Sequence, residues 1–264
     1  SGEELQYAGI ITGATELTKD GAGTLVLTGA NDYSGGTTIS SGKLKGNLDG
    51  LQGNILINAV GATLEFAESG VGTFSDDITG TGAVTFSGAG TVTVSGGTVT
   101  YSGNTTVSAG KVFYNVDNAF SDVTVSGGSF GGDGTVDTLT VTGQVNPGSA
   151  DNTVGQLDVT TLTLNAGSSY RWDIDDVDAG AGTGWDVIDV DDGAGTINCS
   201  ASSGSKCTIY VYGNPGDFVP GDSYTWVIAN GAVSGFQADE FTINYDNFTP
   251  GGSGGLWSVD QVSG

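Results

Sequence analysis

The nine residues GAGTLVLTG, Gly21 to Gly29, return as GAGTVTVSG, Gly88 to Gly96, an offset of 67. After one inserted residue, YSGGTTISSGKL (Tyr33 to Leu44) returns as YSGNTTVSAGKV (Tyr101 to Val112), an offset of 68. A unit of this size cannot bury its own apolar side alone. Stacking such units into a solenoid removes that difficulty, so the repeat narrows the choice of fold more than any other feature.

Inside and beyond the copies, short runs alternate apolar with small polar residues. TLVLT (Thr24 to Thr28), NILIN (Asn54 to Asn58), ATLEF (Ala62 to Phe66) and TLTVT (Thr138 to Thr142) are examples. This is the period of two expected of a strand with one buried face. Between the runs stand Gly-rich turns, and 48 of 264 residues are Gly, more than twice the ordinary share of about 7%. No helical interlude separates the strands, so the chain is all-β.

Charge and missing residue types exclude several functions. Six Lys and Arg against 30 Asp and Glu give a net charge of -24, which rules out phosphate-backbone binding by bulk electrostatics. The absence of His removes the commonest general base, the Ser-His-Asp and Cys-His arrangements, and the usual transition-metal ligand. No stretch approaches the roughly 20 apolar residues that span a bilayer, so no direct membrane insertion by these residues is expected. Cys199 and Cys207 stand eight positions apart in NCSASSGSKC. If the flanking strands run antiparallel, a disulfide staple across a hairpin is expected; the alternative is two unrelated reduced thiols.

The stretch GAGTLVLTGANDYSGGTTISSGKL resembles the autotransporter-associated β-strand repeat of Gram-negative passenger domains. The resemblance rests on Gly21, Gly23, Thr24 and Leu25 at the start, on Asn31, Tyr33, Gly35 and Thr37 in the centre, and on Gly42 and Leu44 at the end. The second copy departs at the centre, where Gly97 to Thr100 replaces the Asn-containing turn. From Asn146 onward the chain is similar to the stretch that ends many such passengers. The resemblance implies a right-handed parallel β-helix in an exported protein, on the outer surface of a Gram-negative-type bacterium. It implies no single activity, because passengers include adhesins, proteases and inert stalks. The membrane-embedded barrel expected after a full passenger has no counterpart in these residues, so this piece is expected to be excised or to borrow the repeat without the barrel.

Composition shifts near residue 145, beyond which lie all four Trp, both Cys and all four Pro. Residues 1–145 are therefore read as regular coils and 146–264 as further coils followed by an irregular C-terminal cap containing antiparallel hairpins. Trp226, Phe236, Phe241 and Trp257 are its expected apolar anchors, because an uncovered last coil exposes a bare edge.

Arg171 to Asp192 holds Asp173, Asp175, Asp176, Asp178, Asp186, Asp189, Asp191 and Asp192. Asp173, Asp175, Asp176, Asp178, Asp189 and Asp191 are the candidates for Ca²⁺, which takes six to eight oxygens. Neither the EF-hand spacing nor the Gly-Gly-x-Gly-x-Asp repeat fits, so a solvated acidic face is the preferred reading. No cofactor is expected. Paired carboxylates on a β-helix can cleave polysaccharides, yet among 30 acids some pair falls at a suitable distance by chance. The expected function is structural or interactive: a β-helical stalk or adhesin passenger segment, monomeric and non-catalytic, with a cap that assists folding. Its expected partner is a surface ligand, carbohydrate or a protein of a host or neighbouring cell. The competing reading is a carbohydrate-binding or polysaccharide-cleaving module.

Overall fold

A computed structural model describes residues 3–118, 121–220, 222–249 and 256–261. Nearly all regular structure in it is β. Among the described residues the helical segments are the 3-10 turns Asp191–Gly193 and Ala238–Glu240, and no helix is long and apolar enough to cross a membrane. The chain forms two compact units, 1–128 and 129–264.

In the first unit, parallel strands climb three faces, as a β-helix requires. The first face stacks Glu4–Tyr7, Thr24–Leu27, Lys43–Gly46, Thr63–Phe66, Ala83–Phe86, Thr105–Val107 and Val123–Val125. The second stacks Val71–Phe74, Thr91–Ser95 and Lys111–Asn115. The third stacks Leu17–Lys19, Thr37–Ile39, Ile55–Ile57 and Ile78–Gly80. Ahead of Val71, the corner between first and third faces is turned by the two-residue pair Thr12–Gly13 and Asp32–Tyr33 and by the turn at 47–53.

The alternation seen in the sequence sends one column of side chains inward. Leu25, Leu44, Leu64 and Val84 lie in register on the first face, and the last three are fully buried. Leu27, Gly46, Phe66 and Phe86 form the next column, where Leu51 fills the space that Gly46 leaves. Phe66 and Phe86 stack with ring centroids 5.1 Å apart. Each such Leu or Phe contributes about 1.5–3 kcal/mol by burial. The outward column on the same strands reads Lys45, Glu65, Thr85, Thr106 and Thr124.

The sequence repeat and the coil are different units. Thr24–Leu27 lies on the first face, whereas its counterpart Thr91–Ser95 lies on the second. Likewise Thr37–Ile39 is on the third face and its counterpart Thr105–Val107 on the first. The second copy is therefore advanced by one face relative to the first.

The second unit uses longer coils. One sheet runs from Thr135–Val141 to Gln156–Asn165, a ten-residue strand that takes two partners side by side, Val187–Val190 and Thr196–Ser200. Ala229–Asn230 and Ala232–Ser234 follow. The other sheet stacks Ser129–Gly132, Gln144–Pro147, Ser169–Ile174, Cys207–Gly213 and Phe241–Phe248. The C-terminal strands thus pair parallel, where antiparallel hairpins were expected. Antiparallel contacts among the described residues are single bridges: Gly132 with Gly148, Ile174 with Trp185, and Ser202 with Ser205.

The expected Cys199–Cys207 staple is corrected by the same topology. The turn closed by Ser202 and Ser205 carries the chain from one parallel sheet to the other, and not back along itself. Cys199 is in register with Leu164 and Cys207 with Phe241. Both thiols are free. Ser168 Oγ bonds Cys207 Sγ at 3.4 Å, and burial pushes the Cys199 thiol up to about 11.

Candidate functional site

The repeat motif assembles into a corner that ties three coils together. Asn31 is almost fully buried: its Oδ1 accepts the Ile11 N–H at 2.9 Å, and its Nδ2 donates to the Gly50 carbonyl at 2.8 Å. One side chain thereby joins the coil before to the coil after. Tyr33, two residues on, is also buried, its hydroxyl 2.9 Å from Thr37 Oγ1 and accepting the Gln52 N–H at 3.2 Å. The motif glycines stand where backbones touch. At Gly42, with φ +67°, an added Cβ meets the Gly21 and Gly23 carbonyl oxygens at 2.4 Å; at Gly110, with φ +68°, it meets those of Gly88 and Gly90 at 2.3 and 2.4 Å. Gly35 lets the chain pass against Thr15, while Thr24 and Leu25 open the strand and Leu44 closes the unit in the core.

The second copy keeps the tyrosine and changes its partners. Tyr101 hydroxyl bonds Thr105 Oγ1 and lies 2.6 Å from Tyr114 hydroxyl; Thr105 Oγ1 is 2.8 Å from Ser121 Oγ, which donates to the Gly103 carbonyl at 3.1 Å. Burial raises both tyrosine pKa values, so the chain of hydroxyls stays neutral. Val99 takes the place of Asn31. There the main chain makes the tie: Ile78 N–H donates to the Thr98 carbonyl and Thr100 N–H to the Ile78 carbonyl, both at 3.0 Å.

On the outward column Glu65 binds Lys43 through Oε2 at 2.5 Å and Lys45 through Oε1 at 2.8 Å, and Ser87 Oγ donates to Oε1 at 2.7 Å. Burial alone would raise its pKa, but these three partners hold it down to about 2.

The Asp-rich segment divides in two. Asp173 and Asp186 are buried, contrary to the solvated face expected of this stretch, because the chain at 148–155 and at 175–186 folds over them. Arg171 grips Asp173 through Nε at 3.0 Å and Nη2 at 3.1 Å, reaches Asn152 Oδ1 at 2.6 Å, and lies 3.8 Å from the ring centroid of Tyr212. Asp186 accepts the N–H groups of Gly155 and Asp173, each at 2.9 Å. Burial nonetheless pushes its carboxyl up to about 8. The remaining acids are spread out: Asp175, Asp176 and Asp178 are exposed, Asp176 Oδ1 caps the N–H groups of Asp178 and Ala179, Asp189 accepts from Gln156, and Asp191 turns the chain at φ +51°. Among the described residues no three metal-binding side chains converge.

The four aromatics expected as anchors form two groups. Trp226 stacks on Tyr224 (5.2 Å, 3° between planes) and on Trp257 (5.9 Å), and meets Trp172 edge-on at 5.6 Å. Phe236 and Phe241 stack separately at 5.6 Å. The large rings turn their faces to one another.

The comparisons pick out the two copies of the repeat. The family model described as passenger-associated-transport-repeat matches residues 17–45 and 84–112, the two copies whose geometry is given above. The chain carries two copies of the passenger-associated-transport-repeat. Over 101 residues it is also 37% identical to the Adhesin BmaC autotransporter of Brucella suis biovar 1 (strain 1330). That match covers 37% of this chain and 3% of the adhesin's length. In the passenger repeat the motif residues are thus structural: they close a coil and bind it to its neighbours. Sequence reasoning found the residues but missed the Asn31 tie, whose signal was a polar residue amid a run of turn-formers. It also missed Glu65, which follows a buried Leu in the outward position opposite Lys45.

Proposed function

We propose that this chain is a passenger segment of an exported surface protein, a β-helical scaffold that holds other parts of its parent away from the cell. The observation that carries the reading is the passenger-repeat corner, in which Asn31, Tyr33 and Thr37 serve coil-to-coil bonding and none is left facing solvent as a ligand group. The outer surface of a Gram-negative-type bacterium is its place of work, and the segment is non-catalytic. The Trp226 and Trp257 stack, with the parallel strands below it, serves as the closing layer that assists folding. No metal takes part: a rise in melting temperature with Ca²⁺ that Mg²⁺ does not reproduce would overturn this point, since occupancy at 100 times Kd adds about 2.7 kcal/mol.

The test is export. Fused ahead of a translocating β-barrel in a Gram-negative host, the chain should become accessible to external protease and resist it as a folded protein. Truncation before residue 195 should lower the yield of resistant surface product. A fusion that stays inside the outer membrane, or is displayed but cut throughout, would defeat the passenger reading.

A further inference from the structure

The second face of the first unit begins abruptly at Val71–Phe74. On one side this strand pairs with Thr91–Ser95; among the described residues no strand pairs with its other side. The direction of its free groups follows from one bond. Thr91 N–H donates to the Gly70 carbonyl at 2.7 Å, so that carbonyl and the main-chain groups of Gly72 and Phe74 turn toward Thr91–Ser95. Both polar groups of a strand residue point to the same side and alternate along the strand, which leaves those of Val71, Thr73 and Ser75 on the free edge. No turn, loop or side-chain hydrogen bond reaches them among the described residues.

This edge is held open. It faces a groove of about 460 Å³ between the strand and the turn at 47–53, with Leu48, Leu51 and Phe74 on its walls and Asp49 and Asp76 among its acidic lining. The wall is fixed by Glu68, whose carboxylate accepts the N–H groups of Leu48 (3.0 Å), Ser69 (2.9 Å) and Gly70 (2.8 Å). Leu48 leans on the strand where Gly72 has no side chain; a Cβ there would come within 2.4 Å of Leu48 Cδ1. Val71 is 86% exposed. Folded proteins guard bare edges with Lys, Pro, bulges, short strands or a covering segment; this four-residue strand carries no Lys, Pro or bulge, and the turn at 47–53 touches it at Gly72 through Leu48 while leaving the groove open beside it. The two nearby cations, Lys43 and Lys45, are engaged with Glu65, so the groove's negative charge is not locally neutralised by them.

We propose that the free edge of Val71–Phe74 is a strand-addition site for an extended, basic peptide segment of another protein. The peptide main chain bonds to Val71, Thr73 and Ser75, and Lys or Arg at alternate positions meet the acidic rim. The net charge of -24 selects a cationic partner and opposes a second copy of this chain.

The experiment uses the full chain and the probe peptide Lys-Val-Lys-Val-Lys-Val-Lys, capped at both ends. Two comparison probes are its Glu-for-Lys counterpart and a form N-methylated on alternate amides. Binding is read by fluorescence anisotropy and by amide hydrogen exchange. The Lys peptide should bind and protect Thr73 and Ser75, and the Glu peptide should not bind. N-methylation should weaken binding about tenfold or more, the loss expected of missing main-chain hydrogen bonds. Thr73→Pro, which removes one edge N–H and no ladder bond, should do the same. Asp49→Asn with Asp76→Asn should weaken binding without altering the strand, and stands in if the proline variant fails to fold. Equal binding of the N-methylated peptide, no binding at all, or protection of the edge by self-association of the chain alone would each overturn the proposal.

Discussion

Asn31 and Val99 occupy the same position in the two copies of the repeat and join their coils by different atoms. Asn31 spans from Ile11 to Gly50 with its side-chain amide, whereas at Val99 the main chain of Thr98 and Thr100 pairs with Ile78. Asn31→Ala would leave the Ile11 N–H and the Gly50 carbonyl without their partners. The expected loss is about 2–4 kcal/mol, read from the denaturant midpoint, with faster exchange of the Ile11 amide. A change under about 0.5 kcal/mol, the range of ordinary surface substitutions, would show that the amide tie is dispensable.

Gly42 and Gly61 make a matched pair. A Cβ at Gly42 meets two carbonyl oxygens at a positive φ, whereas at Gly61 it meets nothing within 4 Å. Gly42→Ala should destabilise by more than about 1 kcal/mol, while Gly61→Ala should be neutral or slightly stabilising. Thermal melts of the two variants side by side decide the matter; equal melting points would refute the close-contact account.

Glu65 makes the first unit sensitive to acid. Its folded pKa of about 2 lies below the ordinary 4.5, so its contribution is present above pH 4.5 and is lost as pH falls through about 2. Because both lysines are partly exposed, the contribution is modest, about 1 kcal/mol or less. Glu65→Gln should flatten the acid limb of a stability profile followed by hydrogen exchange in the first unit.

Asp186 acts in the opposite sense. Its folded pKa of about 8 exceeds the ordinary 3.8, so the folded state keeps a proton that the unfolded chain releases. Its contribution is therefore full below pH 3.8 and declines as pH rises to about 8. The second unit should unfold at lower denaturant in mild base than in mild acid. Asp186→Asn should start less stable, because an amide nitrogen would face one of the two N–H donors, and should lose the pH slope. A variant with the slope intact would assign it to another group.

The strands, their inward columns and the repeat corner were legible in the sequence because period-two alternation and Gly-bearing turns are local signals. Phase was not. Thr24, Lys43, Thr63 and Ala83 lie in register, so three coils end eight residues short of Thr91, and only the structure reveals that the second copy starts on another face. Asp173 and Asp186 misled for a related reason: a stretch with eight Asp in 22 residues reads as a wet face, and nothing in the spacing announces the loops that close over these two. The Cys199 and Cys207 spacing suits a hairpin equally well as a turn between two parallel sheets.

The mismatch between copy length and coil length also has a genetic consequence. Tandem duplication of a block of 67 or 68 residues adds three coils and one face, so each new copy places its loops a step further around the axis. An insertion that grows beside one copy, such as the turn at 47–53 after the first, does not collide with the same insertion beside the next. Lengthening such a gene by unequal recombination therefore distributes loops around the coil axis like treads on a spiral stair, and leaves the faces between them free for the next coil to seat.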